Sequence, residues 1–500
     1  MSRHEPANPR ERIEAFLAAG PREVSEDGEF LFELTGPSFR LEEAGGKLLL
    51  HLWSAERTWV RRVAGILEER PEKLVLGVER FGAAKPGKLT LAAVRRRAGT
   101  GRGRDAARRA YSGWLRRLLA REFPEARLER LSTAADLKRS FSALYTRACL
   151  REGKRWWGVA GMNAGESAAA ADAALAYALI WLGWNRERHP ERDWAGLRLF
   201  LPAGRTQTTA ARLGGLARER LRVELFSTDE EEFVSTRVDE HDLGNLDTHL
   251  VPARLVEDIR AAESSAVERL RALAPGEIEE VVPAGRRELS LRWRGLEFAR
   301  SAGGRVSFGV GARPQALTRD NFEQLEALVK RLRRERAPEG SAKSPYFRQQ
   351  AERWLEGLAL EAPQAIDPRL APGRLYRQVP ALAGGERGVA DLLGATREGQ
   401  LVVIELKASA DLNLPFQGLD YWLRVRWHQE RGELGRFGYF PGLALKPTPP
   451  ELLLVAPALQ FHPTTEALVG YLAPEVRVTR VGLNEDWRRG LKVVFRRGRM

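Results

Sequence analysis

The spacing of apolar and polar residues divides the chain into short strand-like runs and longer helix-like ones. Apolar side chains on alternate residues mark a half-buried strand, and apolar side chains three and four apart mark one face of a helix. Residues 10–19 read as a short helix. FLFELTG, SFRLEE and KLLLHLW follow as strands, with Ala44-Gly45-Gly46-Lys47 as the turn between the last two. The spacing over 56–70 predicts a helix, and residues 74–94 return to strand. Farther on, ELSLRWRG, LEFARS and RVSFGVG form a second β-rich stretch, residues 321–337 a helix with a basic end, and PEGSAKS (338–344) a linker. YFRQQAERWLEGLAL then reads as a helix, ELLLVAPAL as a strand, TTEALVGYL as a helix and VRVTRVG as a strand.

The most informative stretch is 386–422. VVIELKAS is a buried strand in which Glu405 and Lys407 lie on one face. The turn Arg397-Glu398-Gly399-Gln400 folds it back onto VADLLGA, so Asp391 is expected beside Glu405. Two carboxylates and an ammonium would then converge at a sheet end, a group suited to a divalent cation and a phosphate. Pro415 suits the first turn of the next helix, where Gln417 and Tyr421 are four apart and share a face. Trp422 and Trp427 on that helix read as core.

These residues resemble the PD-(D/E)XK nuclease superfamily, in its RecB-like branch, over about residues 345–490. The resemblance rests on Gly388 three before Asp391, on Glu405-Leu406-Lys407, and on the Q-x-x-x-Y pattern of Gln417 and Tyr421. It implies that Asp391, Glu405 and the Leu406 carbonyl bind Mg2+ or Mn2+. It further implies that Lys407 orients water or stabilises the phosphate, and that Gln417 and Tyr421 help hold DNA and the lysine. A glutamate on the preceding helix often completes the metal site in that family. Glu352 and Glu356 are both candidates, and Glu352 is the choice here.

The first half looks like a worn copy of the second. Residues 145–185 lie on 391–431 without a gap, so that Arg151-Glu152-Gly153 falls on Arg397-Glu398-Gly399 and Trp181 on Trp427. Pro202 matches Pro457, Trp114-Leu115 matches Trp354-Leu355, and Ala44-Gly45-Gly46-Lys47 matches Ala302-Gly303-Gly304-Arg305. In this register Asp391 corresponds to Tyr145, Glu405 to Val159, Lys407 to Gly161, Gln417 to Ala171 and Tyr421 to Leu175. The expectation is an α/β chain of two tandem units, each a small β-rich module followed by a restriction-endonuclease-like mixed sheet flanked by helices. The boundaries are 1–94, 95–235 (degenerate nuclease-like), 236–337 (connector and second β-rich module) and 345–500 (nuclease). Shared strand order between the two mixed sheets is the condition for this duplication.

Composition adds a polyanion partner. The chain of 500 residues carries 81 Lys and Arg against 67 Asp and Glu, a net charge of +14. Residues 95–130 hold twelve arginines against four acids, read as a flexible basic loop around Gly99–Arg104 followed by a helix with Trp114, Leu115, Leu118 and Leu119 on its apolar side. GTGRGR lacks the Lys-Ser/Thr ending of a phosphate-binding P-loop. His241, Asp242, Asp247 and His249 read as a polar loop rather than a metal site. With one cysteine, Cys149, no intrachain disulfide forms and a reducing cytoplasm is expected. The most apolar window, Ala168 to Trp184, contains Asp172 and falls short of the roughly 20 residues of a membrane span. The functional expectation is thus a metal-dependent nuclease, most simply on DNA, with an inactive first half. A basic nucleic-acid-binding or scaffold protein with a silent or partner-dependent site is the other class. A monomer fits the duplication, and restriction, phage defence and repair are all open pathways.

Overall fold

The computed structural model describes residues 8–18, 22–27, 29–34, 39–44, 47–53, 58–70, 72–79, 87–93, 101–242, 246, 248–283, 286–311, 314–377, 379, 381–382 and 390–499. The chain divides into two units, built chiefly from residues 1–247 and 248–500.

In the first unit, α1 (Pro9–Ala18) precedes β1 (Arg22–Glu26), β2 (Glu29–Leu34), β3 (Phe39–Ala44), β4 (Lys47–Trp53), β5 (Thr58–Arg70), β6 (Lys73–Glu79) and β7 (Gly87–Ala93). They form an antiparallel sheet in the order β2-β1-β7-β6-β5-β4-β3. Ile13 and Leu17 of α1, one turn apart, pack on Leu50, Leu74, Leu76 and Leu91. The helix expected over 56–70 is instead strand β5. Its pairing with β6 slips between Val63 and Gly65 and again between Ile66 and Glu68. Each slip changes the two-residue period locally, and Val63 and Ile66, three apart, both pack on the core. That spacing imitates a helix.

The second part of this unit is α2 (Gly101–Glu122), β8 (Ala126–Ser132), β9 (Thr146–Glu152), β10 (Arg155–Gly161), α3 (Ala168–Arg188), β11 (Asp193–Pro202), α4 (Gln207–Leu213), β12 (Arg222–Asp229) and β13 (Val234–Arg237). The basic segment expected as a loop is already helical from Gly101, while Arg95, Arg96, Arg97, Gly99 and Thr100 lie outside the described residues.

The second unit holds β14 (Thr248–His249), α5 (Ala253–Leu273), β15 (Ile278–Val281), β16 (Leu289–Trp293), β17 (Leu296–Ala302), β18 (Arg305–Phe308), β19 (Gln315–Ala316) and α6 (Phe322–Glu335). Strands β15 to β19 form an antiparallel meander. Then come α7 (Pro345–Arg348), α8 (Ala351–Glu361), α9 (Pro363–Ile366), β20 (Leu370–Arg377), β21 (Ala381–Leu382), β22 (Ala390–Thr396), β23 (Leu401–Leu406), α10 (Leu414–Glu430), α11 (Glu433–Arg436), β24 (Glu451–Pro457), α12 (Thr465–Val469), β25 (Arg477–Leu483) and β26 (Val493–Gly498). Strand β14 pairs with β21.

The single helix expected after the linker is broken between α7 and α8, where Gln350 adopts φ 50°. Arg336 holds that break. Its buried guanidinium donates to the carbonyls of Trp293, Arg294, Tyr346, Gln349 and Gln350. Burial pushes its pKa down to about 9. Gly295 must be glycine here: it has φ 78°, and a Cβ would stand 2.4 Å from the Arg353 backbone.

The two six-stranded sheets share one plan. Their orders are β8-β9-β10-β11-β12-β13 and β20-β22-β23-β24-β25-β26. In each, the two pairs at one edge are antiparallel, the next two parallel and the last antiparallel. A helix precedes the first strand, and a long helix and a short one make the two parallel crossovers. This is the shared order that a duplication requires.

Candidate active site

Strand β23, Leu401–Leu406, is buried at every residue and lies between antiparallel β22 and parallel β24, as a continuous apolar run should. The turn before it is tight: Gly399 has φ 83°, and a Cβ there would collide with the Ala444 carbonyl. The hairpin register puts Asp391 directly opposite Glu405. This is the opposition expected from the turn; the Asp391 side chain and Gly388 lie outside the described residues.

Glu405 has no solvent exposure, a costly place for a carboxylate without compensation. Two residues on, the Lys407 N–H donates to the Val455 carbonyl at 2.9 Å and extends the ladder. Its buried ammonium stands 3.6 Å from Glu405 Oε1, 3.6 Å from Glu352 Oε2 and 3.9 Å from Asp411 Oδ2. These are ion-pair separations, longer than charge-assisted hydrogen bonds. Burial holds the Glu352 carboxyl above the usual range; Glu405 and Asp411 push the same way, and Lys407 opposes them.

Glu352 therefore reaches the lysine, whereas Glu356, one turn along, does not. Glu356 is buried against Arg377 at 3.0 Å, and Arg377 also binds Glu279 at 2.8 Å. Burial raises the Glu356 pKa, with Arg377 and Arg292 opposing. Tyr421 is also buried, and its hydroxyl accepts the Val379 N–H at 2.8 Å. It secures the chain between β20 and β21. Gln417 keeps a buried Oε1 with no hydrogen-bond partner among the described residues.

Asp411 is the residue that sequence reading missed. Its Oδ1 accepts the Asn413 N–H at 2.7 Å just before α10, a local turn whose Asp-x-Asn pattern is its only sequence signal. His462 faces the same carboxylate: burial lowers its pKa and Asp411 opposes the shift.

The first unit carries a different set. Gly161 pairs with Phe200, as Leu406 pairs with Val455, and Met162 N–H bonds the Phe200 carbonyl as Lys407 N–H bonds that of Val455. Glu405 thus corresponds to Ala160 and Lys407 to Met162, one residue from the gapless register. Ala160 pairs with Arg147, so Asp391 corresponds to Arg147 and not to Tyr145. The shift arises in the turns, since β9 and β10 join across two residues and β22 and β23 across a longer one. Arg147 is buried, donates to the Ser142 and Ala134 carbonyls, and is lowered to about 10 by burial. A guanidinium in place of a carboxylate repels a cation.

Among the described residues, no group of three or more His, Cys, Asp or Glu forms a ready-made metal cage, and His241 and Asp242 are exposed. Asp247 and the His249 side chain lie outside the description. The donor set nevertheless suits a hard divalent cation. Carboxylate oxygens of Glu405 and Glu352 already surround a positive charge, and the strand register adds Asp391. No protein-family model, curated protein or solved structure matches this chain. Among the described residues, no helix is long and apolar enough to cross a membrane.

Proposed function

We propose that the second unit is a divalent-metal-dependent phosphodiesterase acting on DNA, in keeping with its resemblance to the PD-(D/E)XK nucleases. The observation that carries this reading is the direct opposition of Asp391 and Glu405 beside the Lys407 ammonium. Asp391, Glu405 and the Leu406 carbonyl would hold Mg2+ or Mn2+, with Glu352 beside them. Such a cation supplies Lewis acidity and charge neutralisation at the scissile phosphate. Lys407, held among three carboxylates, offsets the negative charge that develops as the attacking oxygen bonds to phosphorus. Glu352, whose carboxyl burial holds above the usual range, takes up a proton more readily than an exposed glutamate. Tyr421 positions the segment before Asp391, and Gln417, one helical turn earlier on α10, keeps a buried amide oxygen with no hydrogen-bond partner among the described residues. The first unit, with Arg147, Ala160 and Met162 at the corresponding positions, serves binding and not cleavage.

The test is incubation of the purified chain with supercoiled, linear and single-stranded DNA, with Mg2+, Mn2+ or EDTA, beside Glu405→Ala and Asp391→Ala. Metal-dependent cutting that both variants lose supports the assignment. Full activity in either variant ends it. Binding without cutting on any substrate favours a nucleic-acid scaffold with a silent or partner-dependent site.

A further inference from the structure

Beyond the C-terminal half of α3, the first six-stranded sheet presents a row unlike any expected core. Arg127 of β8 pairs with Arg151 of β9, Arg151 with Trp156 of β10, and Trp156 with Trp194 of β11. The two indoles lie 6.0 Å apart, half-buried, and the Arg192 guanidinium stands 3.9 Å above Trp156. In the second sheet, the same row contains Ala395 and Leu401, both without exposure. The copy that has no acidic site has thus exchanged an aliphatic row for arginine and tryptophan.

A second cluster adjoins it on α3. Trp184 is half-buried, and three exposed guanidiniums surround it: Arg130, Arg139 and Arg188, at 5.4, 5.4 and 5.5 Å from the ring centre. Asp136 pairs with Arg139. Arg130 and Arg188 have no ion-pair partner among the described residues. A cation–π contact at an exposed site is worth about 0.5–1 kcal/mol, so the ring gathers the Arg130 and Arg188 guanidiniums while leaving their exposed faces open to an anion.

We propose that this arginine–tryptophan face binds single-stranded nucleic acid. Guanidiniums meet the phosphates, and the half-buried indoles offer stacking surfaces to bases that a duplex would keep paired and stacked. The face supplies charge and aromatic rings in alternation, which an acidic protein partner would not need. This inference stands apart from the chemistry of the second unit.

The test uses the full chain in EDTA, so that binding is read without cleavage. Fluorescence anisotropy compares a labelled oligothymidylate with a duplex of equal length, while tryptophan emission is followed. The wild type binds the single strand more tightly, with quenched emission. The exposed double variant Arg130→Gln/Arg188→Gln, at unchanged melting temperature, weakens single-strand binding about tenfold or more. Its salt dependence becomes shallower by about 1–1.5 in log–log slope, two phosphate contacts at about 0.7 each. Trp184→Phe and Trp156→Phe keep the packing and lose quenching. Duplex binding as tight as single-strand binding would overturn the proposal. So would unchanged affinity and salt slope in the arginine variant.

Discussion

Lys407→Met removes one charge from the candidate site and keeps most of the side-chain volume. The ammonium stands 3.6 Å from each of two glutamate oxygens and 3.9 Å from an aspartate oxygen. At an effective dielectric near 20, each closer contact represents about 4–5 kcal/mol of gross attraction, most of it offset by desolvation of the buried ions. Removing one partner of such a buried group costs about 3–5 kcal/mol, a large part of a typical total stability of about 5–15 kcal/mol. The pH dependence follows from the carboxylates left behind. Without the ammonium, Glu352, already raised by burial and by its acidic neighbours, is raised further. A carboxyl whose folded pKa is raised contributes stability that is complete below its unfolded pKa and lost as pH rises through the folded one. The deficit of the variant should therefore be small near pH 4, about the unfolded glutamate value, and widen toward neutrality. Added magnesium should narrow it at neutral pH by replacing the missing counter-charge. Thermal unfolding across that range, with magnesium or EDTA, measures both effects. A deficit that neither acid nor magnesium changes, or no deficit at all, would refute the account of Lys407 as the charge that holds the acidic cluster together.

Three further outcomes follow. Binding of Mg2+ or Mn2+ in mildly acidic buffer should release a proton from Glu352, whose pKa is raised; calorimetry in buffers of different ionisation enthalpy detects it, and Glu352→Gln should abolish it. Arg336→Met should cost about 3–5 kcal/mol by leaving five carbonyls without their shared donor. Denaturant unfolding followed by tryptophan emission tests this; a cost below about 1 kcal/mol would show that the guanidinium does not hold the α7–α8 break. Tyr421→Phe removes the acceptor of the buried Val379 N–H. It should lower stability by about 1–3 kcal/mol and speed exchange of that amide, which hydrogen exchange reads; unchanged exchange would contradict the bond.

Those parts of the protein that depend on neighbours along the chain were legible before folding. A buried apolar run with Glu405 and Lys407 at a spacing of two, a turn that needs glycine at 399, and a short partner strand were enough to place Asp391 opposite Glu405. The repeat was legible too, because paired landmarks such as Trp114-Leu115 and Trp354-Leu355 keep the same buried places before each sheet. Tertiary structure decided the rest. The register of the two copies moved by one residue on the central strand and by two on its hairpin partner, because the hairpin loops differ in length, and this brought Arg147 to the place of Asp391. Strand β5 looked helical because register slips stretch its period. Glu352 and Asp411 meet Lys407 through the packing of α8 and the turn before α10, separations that no periodicity encodes. Arg336 looked like part of the basic end of a helix and is instead buried among five carbonyls from two segments, 293–294 and 346–350. Local hydrogen-bond geometry fixes what lies opposite within a hairpin; which charges are drawn together from distant segments depends on how the helices close over the sheet, and only the folded chain specifies that.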